Sequence, residues 1–387
     1  MKKLVIGFLA ITLVALFAMP AVAGFEPYAS LRVAVGWWDF DPEDAAGNTA
    51  EGGLVDLNIK DRDYETIMIE LGDFSRFGAK WTGGDLSAHF ELGLKGDGRG
   101  GNSAYSRLLY GTWKFKGGSL MVGQNYDPYT FISDQMAPRL ADLGGQHVRE
   151  IDAENLFIGY GCLWDSRQPQ IKLTLDSGLY LAAIQPDTED GDLDVDHGDA
   201  DLPKLCVGWE IKRDNLFLNP GFAWNQIEAS KEGIMDEEDL DSWLCYLNGK
   251  APLGPADLQG SIHYGQNLGN FGLWNREAAA FAKVDGDDFE DSECWGAYVQ
   301  LAFPLDPATI TLGVGYTGSE NDAYGNGHED DQMSYFVNAK IPFTDNFWVI
   351  PEFSYYDHGD DFVESDVNDW EDGPTAWFAG ALLRMDF

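Results

Sequence analysis

Three groups of side chains in this 387-residue chain have types and spacings that could do chemistry. Asp192, Asp194 and Asp196 alternate like the first ligands of a calcium loop. His197, however, stands where such a loop needs glycine, and Pro203 stands where it needs its closing glutamate, so an EF-hand is excluded. What remains is an acidic run able to hold Ca2+ or Mg2+ loosely, and no other cofactor is expected. Ser261 and His263 are two residues apart, a spacing that on a strand points both side chains the same way in parallel. A serine nucleophile needs its base turned toward it and an acid that orients the base. No such acid is identifiable, so catalysis is not expected. The third group is Cys162, Cys206, Cys245 and Cys294, an even number that invites disulfides in an exported protein. Whether they can pair depends on the elements that carry them.

Those elements are strands. From Gly373 to Phe387 the odd positions Trp377, Ala379, Ala381, Leu383, Met385 and Phe387 are apolar, with Arg384 and Asp386 between them. Period two over this length makes a strand with one greasy face. Comparable segments recur at 28–38, 64–81, 86–95, 105–116, 119–124, 168–176, 179–185, 203–212, 216–225, 242–250, 258–266, 293–303, 309–317, 333–341 and 347–356, sixteen strands in all. Most are close to the roughly 9–11 residues that a tilted strand needs to cross lipid. Short turns such as Gly83-Gly84-Asp85 and Gly117-Gly118 alternate with long polar connections. That asymmetry predicts an all-β fold, a transmembrane antiparallel β-barrel with short periplasmic turns and long extracellular loops. Asp73 and Ser75 interrupt the greasy face of the second strand, so a bulge, or a face covered by another subunit, is expected there. Val55, Leu57 and Ile59 also alternate, but the stretch is too short to span and reads as a loop hairpin. On this frame Cys206, Cys245 and Cys294 sit on non-neighbouring strands. Two strand spacings of about 4.8 Å exceed the limit of about 7 Å for a bridge, so free thiols are expected.

The charges agree with a barrel whose inside is wet. A Lys or Arg on the lipid face at mid-membrane costs about 2–4 kcal/mol, and Arg32, Lys80, Lys172, Lys204 and Arg384 all fall on the less greasy parity. Gln259, Ser261, His263, Gln300, Asn338 and Glu352 share that parity and would line the lumen. Aromatics gather near strand ends, among them Trp37, Trp81, Trp113, Trp243 and Trp377, as in two interfacial girdles. Lys2 and Lys3, the apolar run 4–19 and Ala21-Val22-Ala23 read as a signal peptide over residues 1–23, leaving 24–387 as one barrel domain. No later segment has the roughly 18 continuous apolar residues of a membrane helix. The chain carries 65 acidic against 25 basic residues, and loss of Lys2 and Lys3 takes the formal charge from −40 to −42. Such a surface repels nucleic acid. The acid is concentrated: residues 187–201 hold eight carboxylates without a Lys or Arg, and 357–372 hold another eight. A vestibule of that kind should collect cations within about a Debye length, roughly 8–10 Å, and cation selectivity is expected.

Gly123-Gln124-Asn125-Tyr126-Asp127-Pro128, at the end of the fifth strand, resembles the Gly-x-x-Tyr-Asp-Pro segment that enters the third long loop of the general porins of Gram-negative outer membranes. The sixteen strands, the position of the longest loop and the terminal Phe387 extend the resemblance over residues 24–387. It implies that residues 125–167 fold into the lumen as a constriction loop. It also implies acids on that loop, with Asp127, Asp134 and Asp142 as candidates, opposed by a basic wall of Arg32, Arg76 and Lys80. Asp142-Leu143-Gly144-Gly145 is similar to a Gly-Gly turn of the family's loop, whereas Gln124 departs from the basic residue common there. Phe387 would be the assembly signal read by the barrel assembly machinery. A homotrimer embedded in outer-membrane lipid and lipopolysaccharide, passing small solutes and ions, follows from the same resemblance. Divalent ions at Asp192, Asp194 and Asp196 could then bridge to lipopolysaccharide. Two rivals stay open: a substrate-specific channel whose inward Tyr298, Trp348 and Tyr356 stack on sugars, and a structural or adhesive barrel without conductance.

Overall fold

The computed structural model describes residues 24–41, 64–71, 75–96, 102–136, 159–165, 167–186, 197–231, 235–273, 280–285, 288–321, 329–357, 360–361, 371–372 and 375–387. Its sixteen staves are β1 (Phe25–Asp41), β2 in two halves (Tyr64–Leu71 and Arg76–Gly83), β3 (Leu86–Gly96), β4 (Asn102–Phe115), β5 (Gly118–Asn125), β6 (Gln168–Leu175) and β7 (Leu179–Ile184). Then come β8 in three pieces (His197–Asp199, Lys204–Trp209 and Ile211–Arg213), β9 (Leu216–Lys231), β10 (Met235–Leu253), β11 (Ala256–Gln266) and β12 (Glu293–Leu305). The last are β13 (Ala308–Glu320), β14 (Glu329–Thr344), β15 (Phe347–Asp357) and β16 (Thr375–Asp386). Each pairs antiparallel with its sequence neighbours, and β1 pairs with β16 from Ser30↔Asp386 to Asp41↔Thr375, which closes the sheet. All sixteen expected strands are present. The last residue is paired too: Ala29 N–H donates to Phe387 O and Phe387 N–H to Ala29 O, while the phenyl ring points outward, 72 % exposed.

The parity read from the sequence holds. Ile67, Ile69, Leu109, Val122, Ile171, Leu181 and Ile262 stand exposed on the outer wall, where hydrocarbon would cover them, while Arg32, Lys204 and Glu352 are buried on the inner one. Each aliphatic side chain moved from water into that hydrocarbon contributes about 1.5–3 kcal/mol. The two halves of β2 flank residues 72–74, which lie outside the described residues. Ser75 is fully buried, accepts from Arg32 N–H at 2.9 Å and donates to Arg32 O at 3.0 Å, so its side chain replaces a ladder partner just before the second half.

One connection differs from expectation. Residues 226–231 and 235–241, expected as part of a polar loop, extend β9 and β10, with Gln226↔Asp241 through Ala229↔Glu238 in register and a shift before Lys231↔Met235. None of the four cysteines forms a disulfide: Cys162, Cys206 and Cys294 are buried, and Cys245 is exposed on the outer face. Residues 1–23, the 55–60 stretch, Asp73, Asp142, Asp192, Asp194 and Asp196 lie outside the described residues.

Candidate functional site

The lumen is crossed by the segment that follows β5. From Tyr126 to Met136 the chain has no strand partner of its own, so its backbone groups must find partners on the wall. They do so stave by stave. Asn219 of β9 donates to Pro128 O and Asn248 of β10 to Tyr129 O, both at 3.1 Å. Gln259 of β11 donates to Ile132 O at 2.8 Å. Gln300 of β12 accepts from Asp134 N–H at 2.8 Å and donates to Asp134 Oδ2 at 2.6 Å. Asn338 of β14 donates to Asp134 O at 2.8 Å, and Glu352 of β15 accepts from Met136 N–H at 2.7 Å. Gln135 is gripped from both sides, donating to Tyr356 Oη and accepting from Ser334 Oγ. Asn and Gln suit this work because each offers both a donor and an acceptor to backbone groups running across the strands.

The returning limb, 159–165, closes the gap at β13, where Gly161 N–H donates to Thr317 Oγ1 at 2.8 Å. It also meets a second inserted segment, the one after β11: Trp164 N–H donates to Gly272 O at 2.8 Å, and Leu268 and Phe271 are fully buried. Together these limbs fill the lumen beside β7 to β12 with a dry cluster that includes Tyr129, Leu163, Tyr180, Leu244, Leu268 and Phe271. Within it lies a charged knot. Lys204 Nζ, wholly buried, donates to Asp165 Oδ2 and to Asn270 O, both at 2.6 Å. Tyr129 Oη lies 2.7 Å from Asp127 Oδ2 and 3.1 Å from Asp165 Oδ2. Burial, and then the neighbouring Asp165, push the Asp127 carboxyl well above the usual carboxylate range.

The opposite wall is basic. Glu91 of β3 is buried among cations: Arg107 Nε donates to its Oε1 at 2.6 Å, Arg76 Nε lies 3.2 Å from its Oε2, and Tyr28 Oη donates to Oε2 at 2.6 Å. Tyr126 joins this wall to the loop, because Arg107 donates to its hydroxyl at 2.9 Å. Arg167 lies over both its ring at 4.9 Å and that of Trp164 at 4.8 Å. Lower down, Arg384 pairs with Asp386 at 2.6 Å, and Arg32 donates to Ser30 Oγ at 3.2 Å.

Of the residues proposed from sequence, Arg32, Arg76 and Lys80 all lie on the inward parity, Arg32 buried and Lys80 exposed. Asp134 is exposed on the loop with its carboxylate tethered to Gln300. Asp127 is only 2 % exposed, so it belongs to the buried knot rather than to the channel surface. Gln259, Gln300, Asn338 and Glu352 do point inward, yet they hold the loop. Tyr298 and Tyr356 are likewise buried, Tyr298 stacked at 6.3 Å on Phe131 of the loop. Ser261 donates to Asn248 Oδ1 at 2.7 Å. Gln124 sits on the outward parity and donates to Ser106 O at 2.9 Å.

Arg107 and Arg167 were not among the residues proposed from sequence. Counting down β4 from the exposed Trp113 and Leu109, position 107 should face lipid. A register shift between Glu91↔Leu108 and Leu92↔Ser106 turns both Arg107 and Leu108 inward instead. The signal was present: an arginine on the lipid parity inside a span, at about 2–4 kcal/mol, calls for a bulge.

No family model and no curated protein matches the chain. Solved structures do. The outer membrane channel DcaP of Acinetobacter baumannii superposes with a TM-score of 0.67 at 14 % identity, covering 95 % of this chain and 99 % of that one. OmpT, an outer-membrane protein of Vibrio cholerae, gives 0.54 at 16 % identity over 95 % and 99 %. An anion-selective porin from Comamonas acidovorans gives 0.54 at 14 % identity over 94 % and 99 %. At these identities the likeness is one of fold, and the fold is the sixteen-stranded barrel of outer-membrane porins.

Proposed function

We propose that the protein is an outer-membrane porin through which small hydrophilic solutes and ions diffuse passively. The observation that supports this reading is the inserted loop ribbon, hydrogen-bonded to staves from β9 to β15, inside a barrel whose inner face also carries Arg32, Arg76 and Arg107. Lys80, Lys250 and Lys340 are exposed on the inward parity, the condition of charges that stand in water. Asp134 on one side and the arginines on the other make a transverse field that orients dipolar solutes as they pass. The burial of Tyr298 and Tyr356 beneath the loop weakens the rival in which they stack on sugars.

Ion preference follows from the balance of two charge sets. The acidic surplus of −40 favours cations throughout the vestibule, and cation selectivity is the first reading. The cluster of Arg32, Arg76, Arg107 and Arg167 favours the second, an anion preference set at the narrowest level. The OmpT protein of Vibrio cholerae was also solved in a trimer form, and a homotrimer is proposed here too. The deciding experiment is a planar bilayer with the purified protein under a KCl gradient. A reversal potential favouring K+ supports the first reading, one favouring Cl− the second, and conductance steps in threes support the trimer. A barrel that inserts and never conducts overturns the channel.

A further inference from the structure

The knot that joins the two limbs of the constriction loop contains more acid than base. Two carboxyl groups, Asp127 from the entering limb and Asp165 from the returning one, meet a single cation, Lys204 of β8. Other groups facing them are the Tyr129 hydroxyl from the entering limb, and Cys206 of β8 and Tyr246 of β10, both buried. The segment after β11 contributes Asn270 and Phe271, which do not titrate. Lys204 gives protons to Asp165 Oδ2 and to Asn270 O, and one positive charge cannot balance two carboxylates. Tyr129 has one hydroxyl proton for two carboxyl oxygens, and Asp127 Oδ1 is buried with no hydrogen-bond partner among the described residues. A second negative charge there would be desolvated and uncompensated.

We propose that Asp127 stays protonated in the folded channel and makes the loop latch a proton-dependent one, firm in acid and progressively weakened as the surroundings become alkaline. The direction follows from linkage. A carboxyl whose ionisation is harder in the folded than in the unfolded chain binds its proton more tightly when folded. Its contribution is then full below the unfolded value and is lost as pH rises toward the folded one. Asp127→Asn keeps the size and the neutral form and removes the titration.

The test is equilibrium unfolding of the detergent-solubilised barrel in urea, wild type beside D127N, across a pH series starting near the unfolded carboxyl value. The two should unfold alike at the acid end. Each further pH unit in the window should then shift the folded-to-unfolded ratio by about tenfold in favour of D127N. A difference that is constant with pH, or that favours the wild type at neutral pH, overturns the proposal. Infrared spectroscopy gives an arm that does not depend on D127N folding. Wild type should show a protonated-carboxyl stretch at neutral pH, and in Asp165→Asn, where the neighbouring charge is gone, that band should vanish at lower pH. Absence of the band in wild type, or a midpoint unmoved in D165N, overturns it as well.

Discussion

Replacing Lys204 with methionine should unfasten the plug from the wall without breaching the barrel. The side chain is wholly buried, its ammonium donates to Asp165 Oδ2 and Asn270 O at 2.6 Å each, and it lies 5.2 Å from the centre of the Phe271 ring. Methionine preserves the unbranched stem and most of the packing against Phe271, so the change isolates the charge. Removing one member of a buried ion pair costs about 3–5 kcal/mol, because the partner is left charged and dry. Here the lower end applies, since Asp165 is 8 % exposed and can recruit water once the limb moves. The strands on either side keep their ladders: the middle piece of β8, Lys204–Trp209, pairs with β7 through six consecutive residues and with β9 through four. The loss should therefore appear as a local opening of 159–165 and 267–273. Hydrogen exchange should accelerate at the Trp164 amide, which donates to Gly272 O at 2.8 Å, while the amides of β7 and β9 stay protected. Single-channel records should become noisier as the limb samples the lumen. If K204M leaves exchange at Trp164 and the current noise unchanged, Lys204 does not hold the two inserted segments together and the knot is only packing.

Three further outcomes follow. Gln300→Ala combined with Asn338→Ala removes three hydrogen bonds to the Asp134 backbone and carboxylate; at about 0.5–1.5 kcal/mol each, the tip of the ribbon should lift and mean conductance change, and an unaltered step size would refute the ribbon as the constriction. Ser75→Ala leaves the buried Arg32 N–H and C=O without the hydroxyl that bonds both, which should cost about 1–3 kcal/mol in urea unfolding, more than the same change at an exposed serine. If Asp192, Asp194 and Asp196 hold divalent ions loosely, chelation should lower the heat-unfolding midpoint in lipopolysaccharide-containing bilayers, and an unmoved midpoint would remove the metal.

How much of this was legible in the residues depended on what solvent each segment meets. Where lipid lies on one side and water on the other, the two phases impose period two, and the sixteen staves could be read off Leu31 to Phe387 with their faces assigned. Above the membrane that contrast vanishes. Residues 226–229 pair with 238–241 in the same register as the strands below, but the one apolar pair among them, Ile227↔Leu240, packs on Ala282 of an inserted segment rather than on lipid, and a single apolar pair sets no period, so the stretch read as a loop. The inner face poses a different difficulty. An inward Gln or Asn has the same pattern whether it meets water or a loop backbone, so Gln300 and Asn338 were identifiable as lumenal but not as anchors. Asp127 and Asp134 illustrate the same point from the loop's side. They are seven residues apart with the same chemistry, yet one is exposed and the other nearly buried, because Asp165 and Lys204, 38 and 77 positions further on, converge on the first alone. Local sequence sets which side of the wall a residue faces. Which inward charge remains in the aqueous path is decided by the inserted segments, and a charge is removed from that path where two of them meet over a single cation.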